Sequence, residues 1–126
     1  MNPHEYLDGG TVRVASPTYA VCRVDQAPAS CFAVVRDETE TTAVVDQADG
    51  VPDGATDVVR DWKRLTFEME LPFELVGFLA VVASELADAG VSIYALSSYS
   101  TDHVLVAETD LDAATGRLET LGCTVA

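Results

Sequence analysis

The sequence predicts an α+β protein of the ferredoxin-like type, in which an antiparallel sheet carries both helices on one face. Three observations support this prediction. Residues 63–126 contain segments that alternate apolar and polar side chains, and two segments repeat apolar side chains at helical spacing. Their order is strand, helix, strand, strand, helix, strand, the βαββαβ order of a split βαβ fold, and the right-handed crossover rule fixes its hand.

The first strand and the first helix follow each other directly. "RLTFEMEL" at 64–71 alternates apolar and polar residues, as a strand with one buried face does. Residues 74–89 form one apolar helical stripe, which consists of Leu75, Phe78, Leu79, Val82 and Leu86. Glu74 is expected in the first turn, where the helix dipole favours an acidic side chain, and Gly90 follows the end. This segment is therefore predicted to be an amphipathic helix.

A hairpin and a second helix complete the C-terminal half. "VSIYAL" at 91–96 and "HVLVAE" at 103–108 are predicted to be paired strands, joined across the polar "SSYSTD". Asp110 is expected to cap a helix over 111–121, whose leucines recur at helical spacing. The final "CTV" is predicted to be a last short strand.

The N-terminal half is less regular and contains no clear long helix. "TYAVCRV" and "CFAVVRD" are typical of strands, and "TTAVVDQ" follows across the polar "ETE", which predicts another hairpin. Residues 47–57 are acidic and rich in turn-forming residues, so a boundary is expected there. We therefore expect two units, a mostly β unit over 1–60 and a C-terminal unit over 61–126.

Composition and charge limit the partners of this chain. Of its 126 residues 48% are hydrophobic, which is enough for a buried core. The net charge is −14, from 21 acidic and 7 basic residues, and would repel nucleic acid and anionic lipid. The first residues do not show a positive segment followed by an apolar stretch, so we expect no signal peptide, and the longest apolar run, 75–83, is shorter than the roughly 20 residues that span a bilayer. We expect a cytoplasmic protein without nucleic-acid or membrane partners, and the acid excess with a single lysine, Lys63, favours a high-salt cytoplasm.

The sequence contains no motif typical of catalysis, of a metal site or of a cofactor site. Cys22, Cys31 and Cys123 lack metal-ligand spacing and are expected to be reduced thiols in apolar surroundings. His4 and His103 are the only histidines, and neither lies in a pattern typical of a nucleophilic triad. Phosphate-binding and dinucleotide-binding fingerprints are missing. We therefore expect a protein that is not an enzyme, with no cofactor and no metal.

The polar "SSYSTD" at 97–102 is the strongest candidate for a binding site. In a split βαβ unit the start of the first helix and the loop between the middle strands approach each other, so 75–78 and 97–102 are expected to face one gap. Free backbone N–H groups at the helix start, next to Gly77, suit a carboxylate. Asp102, with hydroxyls and strand-end carbonyls around it, suits an ammonium group.

Ordinary turn chemistry is an alternative explanation for the same residues. Gly77 would then only permit close packing of the helix on the sheet. Asp102 would only close an Asx turn, and Ser97 and Ser98 would only satisfy backbone groups at a sheet edge.

The segment "LVGFLAVVASELADAGVSIYALSSYSTDHVLVAETDL" resembles the ACT domain, and most closely the small tandem-ACT group similar to the CASTOR arginine sensors. The shared features are a glycine at the start of the first helix, a hairpin rich in Ser, Thr and Asp, and an N-terminal "YAVCRV" strand. The resemblance implies two ACT-like units in tandem, the first incomplete, which share or exchange strands. It also implies a small-molecule ligand, often an amino acid, held where units meet.

The same resemblance implies a set of ligand-binding residues. These are Val76, Gly77, Ser97, Ser98, Thr101 and Asp102. Two positions depart from the family pattern: Ser100 stands where Asp or Asn is frequent, and His103 where an aromatic residue is usual. Either departure would change which ligand fits.

Two functions follow as hypotheses. The first is a non-catalytic regulatory module, a homodimer that binds a small ligand such as an amino acid at an interface between ACT units. The second is a ligand-free ACT-like scaffold for dimerisation or interaction, which regulates a partner protein through exposed sheet edges. An enzymatic function stays as a residual alternative because a fold alone does not determine function.

Overall fold

The computed structural model describes all residues, 1–126. The chain contains three α-helices and seven strands. The helices are α1 (Pro3–Leu7), α2 (Phe78–Asp88) and α3 (Leu111–Thr120). The strands are β1 (Thr11–Val24), β2 (Ala33–Arg36), β3 (Thr41–Asp46), β4 (Asp57–Glu68), β5 (Ile93–Ser97), β6 (Asp102–Ala107) and β7 (Thr124–Val125). None of the helices is long and apolar enough to cross a membrane.

The chain forms two compact units. The first comprises Met1–Ala15 and Lys63–Ala126, and the second comprises Ser16–Trp62. Strands β1 and β4 each contribute residues to both units. The N-terminal residues 1–15 thus belong to the same compact unit as the C-terminal half. The arrangement of two ACT-like units in tandem, over 1–60 and 61–126, stays a prediction.

In the first unit the strand order is β7-β1-β4-β6-β5, and the helices lie on one face of this sheet. β5 and β6 form the predicted antiparallel hairpin, with Ser97 opposite Asp102. β7 pairs in parallel with the start of β1, where Thr11 faces Thr124. The start of β1 therefore lies between β4 and β7, a position that the strand order inferred from residues 63–126 did not include. The predicted α+β, ferredoxin-like class is confirmed.

The core of the first unit lies between the sheet and the helices. Leu65 and Phe67 of β4 point into it, together with Val104 and Val106 of β6. The helices contribute Phe78, Val82, Leu86, Ala114 and Leu118, all of them buried. Because side chains alternate along a strand, Arg64, Thr66 and His103 lie on the opposite face.

The second unit contains the β2–β3 hairpin, with the strand order β2-β3-β1-β4. Arg36 pairs with Thr41, and the carboxylate of Asp37 accepts hydrogen bonds of 2.8 Å from the amides of Thr39 and Glu40 in the turn. These bonds lower the pKa of Asp37. A small apolar cluster fills the unit: Ala20, Cys22, Val24, Ala43 and Val45. The hairpin predicted across "ETE" is therefore present.

Two details at helix starts were predicted wrongly. α2 begins at Phe78, because Gly77 has a φ of 87° and Leu75 closes a turn onto Pro72, so Glu74 lies before the first helical turn. Asp110 lies at the start of α3, but its side chain makes no capping bond. A 3₁₀ turn, Glu108–Asp110, leads directly into α3 and leaves the backbone of Asp110 outside the extended conformation that capping residues use.

The charge of the chain leads to a prediction about salt. With a net charge of −14, repulsion among acidic side chains opposes folding, and salt screens this repulsion. We expect the melting temperature to rise between low salt and molar KCl by about 3–5 °C, corresponding to about 1 kcal/mol. Differential scanning calorimetry measures the change. Replacing the exposed Glu38 and Asp53 by Lys should reduce it, and equal melting temperatures at both salt concentrations would contradict the prediction.

Candidate functional site

A small cavity lies between the segment that follows β4 and the tip of the β5–β6 hairpin. Its volume is about 190 Å³. One wall is apolar and contains Leu71, Leu75 and Phe78, while the other consists of residues 97–102. Drug-sized ligands occupy pockets of roughly 300–1,000 Å³, so this cavity suits a smaller molecule.

Backbone and side-chain hydrogen bonds hold the hairpin tip in place. The amide of Ser98 donates to the carbonyl of Thr101 at 2.8 Å, which closes the turn. The amide of Leu71 donates to the carbonyl of Ser100 at 2.7 Å, and the Thr101 hydroxyl donates to the carbonyl of Phe67 at 2.5 Å. The hydroxyl of Thr101 is therefore used to fix the tip to the end of β4.

Asp102 provides the carboxylate of the cavity. It is the first residue of β6 and faces Ser97, the last residue of β5. The Ser97 hydroxyl donates to Asp102 Oδ1 at 2.6 Å. An Asx turn would instead use backbone amides as donors. The bond from Ser97 orients the carboxylate and leaves Oδ2 to accept from a ligand.

Ser98 contacts the buried ring of His103. Ser98 Oγ lies 2.6 Å from His103 Nε2, and Thr66 Oγ1 lies 2.8 Å from Nδ1. Arg64 in turn donates to Thr66 Oγ1 at 2.7 Å. Burial and the nearby Arg64 charge lower the pKa of His103, and Asp102 offsets part of this effect. The imidazole is therefore neutral at pH 7.

The lowered pKa of His103 predicts a loss of stability in mild acid. Its folded-state pKa lies below the ordinary value of 6.5, so the unfolded chain binds a proton first as the pH falls. We expect the free energy of unfolding to fall as the pH is lowered from about 7.5 through the unfolded pKa. Urea unfolding at several pH values measures this. His103→Gln should remove this dependence of stability on pH, and His4→Gln, at an exposed histidine, should keep it. A pH dependence that survives in His103→Gln would contradict its assignment to His103.

Gly77 and Val76 lie beside the cavity but do not line it, although their neighbours Leu75 and Phe78 do. Gly77 adopts a left-handed conformation just before α2, and an added Cβ would come no closer than 3.9 Å to Pro3 Cγ. Its backbone conformation, rather than close packing, therefore requires glycine. The Val76 side chain is 83% exposed. The other residues inferred as ligand-binding, Ser97, Ser98, Thr101 and Asp102, all line the cavity.

Two aromatic residues at the cavity were not identified from the sequence. The rings of Phe73 and Tyr99 make an edge-to-face contact with centroids 4.9 Å apart, although the residues are 74% and 81% exposed. Both also line an adjoining cavity of about 390 Å³, to which Glu70 and Glu74 belong. The position of Tyr99 within "SSYSTD", the segment already predicted to bind a ligand, was the signal that could have identified it as a site residue.

These groups define what the site can do chemically. The Asp102 carboxylate can hold an ammonium group, and hydroxyls can bond a carboxylate or another polar group. Apolar and aromatic walls can enclose the remaining part of a small ligand. The arrangement is suited to reversible binding of a small polar molecule.

Comparisons with known proteins agree with this fold. The family model for the ACT domain matches residues 57–120, which include β4, α2, the β5–β6 hairpin and α3. None of the curated proteins matches the chain. Two similar solved structures are a protein from Agrobacterium tumefaciens and a protein of unknown function from Vibrio cholerae described as a possible transport protein. The first has a TM-score of 0.80, 23% identity and coverage of 94% of this chain and 92% of that one. The second has a TM-score of 0.72 and 22% identity, with coverage of 92% of this chain and 92% of that one.

A third similar structure is the ligand-free regulatory subunit of aspartate kinase from Thermus thermophilus. Its TM-score is 0.64 at 9% identity, with coverage of 89% of this chain and 95% of that one. At these identities the likeness to each of the three structures demonstrates a shared fold. The matched family segment contains both walls of the cavity.

Proposed function

The chain belongs to the ACT-domain family, and we propose that it is a non-catalytic regulatory module that binds a small amino acid or a related metabolite. The observation that carries the proposal is the cavity where Ser98, Thr101 and Asp102 face the segment before α2. The similarity to a regulatory subunit of aspartate kinase supports a regulatory function. Membership of the tandem group similar to the CASTOR sensors is part of the proposal.

The chemistry of the cavity supports a ligand with both an ammonium group and a carboxylate. The ammonium group would donate to Asp102, whose Oδ1 already accepts from Ser97. The carboxylate would accept from Ser98 and from an amide at the start of α2, where no side chain caps the helix and Phe78 lines the cavity. An amino acid carries both groups on one carbon atom, and its small size suits a cavity of about 190 Å³.

We further propose a cytoplasmic homodimer. The three cysteines are free thiols, which supports a reducing compartment. The apolar side chains of Phe73, Val76 and Tyr99 are exposed next to the cavity, and a second copy of the chain would remove them from water. In this arrangement the ligand would lie close to the interface between copies.

A thermal-shift screen of the purified chain with the twenty amino acids and common metabolites tests the proposal. A ligand at 100-fold its dissociation constant should stabilise the folded chain by about 2.7 kcal/mol, a shift of several degrees. The screen should be run at low and at molar KCl, so that a folding requirement for salt does not hide binding. Flat melting temperatures with every compound would reject an amino-acid sensor.

The same exposed side chains support a second function, a ligand-free scaffold that dimerises or pairs with a partner protein. Phe73, Val76 and Tyr99 are between 74% and 83% exposed, which is unusual for large apolar residues. Light scattering of the parent and of Tyr99→Ser tests this function. A dimer that dissociates in the variant, together with a flat ligand screen, would favour the scaffold. A monomer in both, together with a pull-down that captures no partner protein, would reject it.

A further inference from the structure

We propose that a relay of four side chains, Arg64, Thr66, His103 and Ser98, makes the Ser98 hydroxyl a hydrogen-bond donor to the cavity and thereby selects ligands that present a carboxylate there. The inference rests on the proposed ligand binding and adds a specificity determinant to it. Neither Arg64 nor Thr66 lines the cavity, so both act through other residues, and His103 is a positioning residue.

The relay is continuous from β4 to the hairpin tip. Arg64 donates to Thr66 Oγ1 at 2.7 Å along the same strand. Thr66 Oγ1 lies 2.8 Å from His103 Nδ1, and His103 Nε2 lies 2.6 Å from Ser98 Oγ. The imidazole is only 8% exposed, so its two nitrogens interact with these hydroxyls rather than with bulk water.

The charge of Arg64 favours one direction of the hydrogen bonds. Thr66 Oγ1 accepts from the guanidinium, which leaves the threonine proton to be donated to His103 Nδ1. The opposite tautomer would direct an Nδ1–H group at an oxygen atom that already accepts from a cation. A neutral imidazole that accepts at Nδ1 carries its proton on Nε2 and donates it to Ser98.

The consequence appears in the cavity. Ser98 Oγ accepts from His103, so its own proton is free for another acceptor, and Ser98 lines the cavity. A ligand carboxylate is the acceptor that gains most from this proton because charge-assisted bonds are the stronger ones. A ligand amide at the same place has an uncharged carbonyl, which accepts a weaker bond from Ser98, and N–H groups, which cannot accept at all.

Histidine NMR tests the relay without any ligand. Long-range ¹H–¹⁵N correlation spectra of the full chain identify which ring nitrogen carries the proton. We expect His103 to be the Nε2–H tautomer, with the His103→Gln spectrum separating its signals from those of His4. In Thr66→Val the balance should move toward Nδ1–H because Nδ1 loses its donor. An Nδ1–H tautomer in the parent, or an unchanged tautomer in Thr66→Val, would overturn the inference.

A binding titration tests the selection, with L-alanine and L-alaninamide as the probes. The preference is the dissociation constant of alaninamide divided by that of alanine. This ratio should fall about tenfold in Thr66→Val. Thr115→Val, the same change on α3, is the control and should leave the ratio unaltered. His103→Gln keeps a donor near Ser98 and should retain the preference, whereas His103→Phe should lose it. A preference retained in both Thr66→Val and His103→Phe would overturn the inference. Failure of both probes to bind the parent would count against the proposed function, and the tautomer would still decide the relay.

Discussion

Asp102→Asn is expected to weaken ligand binding about 30-fold, equivalent to about 2 kcal/mol. The substitution keeps the shape of the side chain and its oxygen toward Ser97, but it removes the negative charge that would hold the ligand's ammonium group. Isothermal titration calorimetry with the amino acid that gives the largest thermal shift measures the change. The loss should decrease at high salt because screening weakens the charge interaction in the parent.

The control for this prediction is the same substitution at an exposed site. Asp112→Asn lies in the first turn of α3 and changes the net charge by the same amount. It should alter the dissociation constant less than twofold, since Asp112 does not line the cavity and salt screens an exposed charge. Equal losses in the two variants would mean that net charge, and not the position of Asp102, governs binding.

Phe67→Ala is expected to have the largest effect on stability, a loss of about 3–5 kcal/mol. Phe67 is fully buried in β4, and its ring makes an edge-to-face contact with Phe78 at 5.1 Å. Truncation leaves a cavity between the sheet and α2 and removes the aromatic contact. Urea unfolding measures the change against a total stability that is typically about 5–15 kcal/mol for a domain.

Phe73→Ala is the matched control for the core substitution. Phe73 is 74% exposed, and its ring makes an edge-to-face contact with that of Tyr99. Its replacement should cost no more than about 1 kcal/mol. A cost similar to that of Phe67→Ala would show that the rim of the cavity belongs to the folding core, and would contradict the assignment of Phe73 to an exposed rim.

Much of the first unit could be predicted because its elements follow local patterns. The alternation in "RLTFEMEL" and the apolar stripe that includes Phe78 and Val82 are both determined by which residues face the core. The start of α2 was placed too early because the apolar stripe extends back to Leu75. The left-handed backbone of Gly77 keeps the residues before Phe78 out of the helix. Hydrophobic periodicity alone does not report backbone conformation.

The rest of the fold depends on contacts between residues far apart in the chain. Thr11 pairs with Thr124, and the Val14 amide donates to the Ala126 carbonyl at 2.9 Å. No local sequence pattern predicts such parallel pairing between the two ends of the chain. β1 also contains Pro17, which is disfavoured inside a strand. The segment 11–17 was therefore not predicted as part of a strand.

The candidate site divides in the same way. Ser98, Thr101 and Asp102 are neighbours in the sequence, so their grouping could be predicted from the chain alone. The contact of His103 with Thr66 depends on how β4 and β6 lie side by side, which a single sequence does not specify. For this reason His103 was interpreted as a strand histidine outside any catalytic pattern and as a departure from a family pattern, and its connection to Arg64 was not predicted.

The most direct test of the central claim is a chemical-shift map of the ligand site. ¹H–¹⁵N spectra of the labelled chain should be recorded during titration with the amino acid that stabilises it most. We predict saturable shifts concentrated in residues 71–78 and 97–103, with β2 and β3 unaffected. Saturable shifts that concentrate elsewhere, or none in these two segments at a concentration that stabilises the chain, would contradict binding in this cavity.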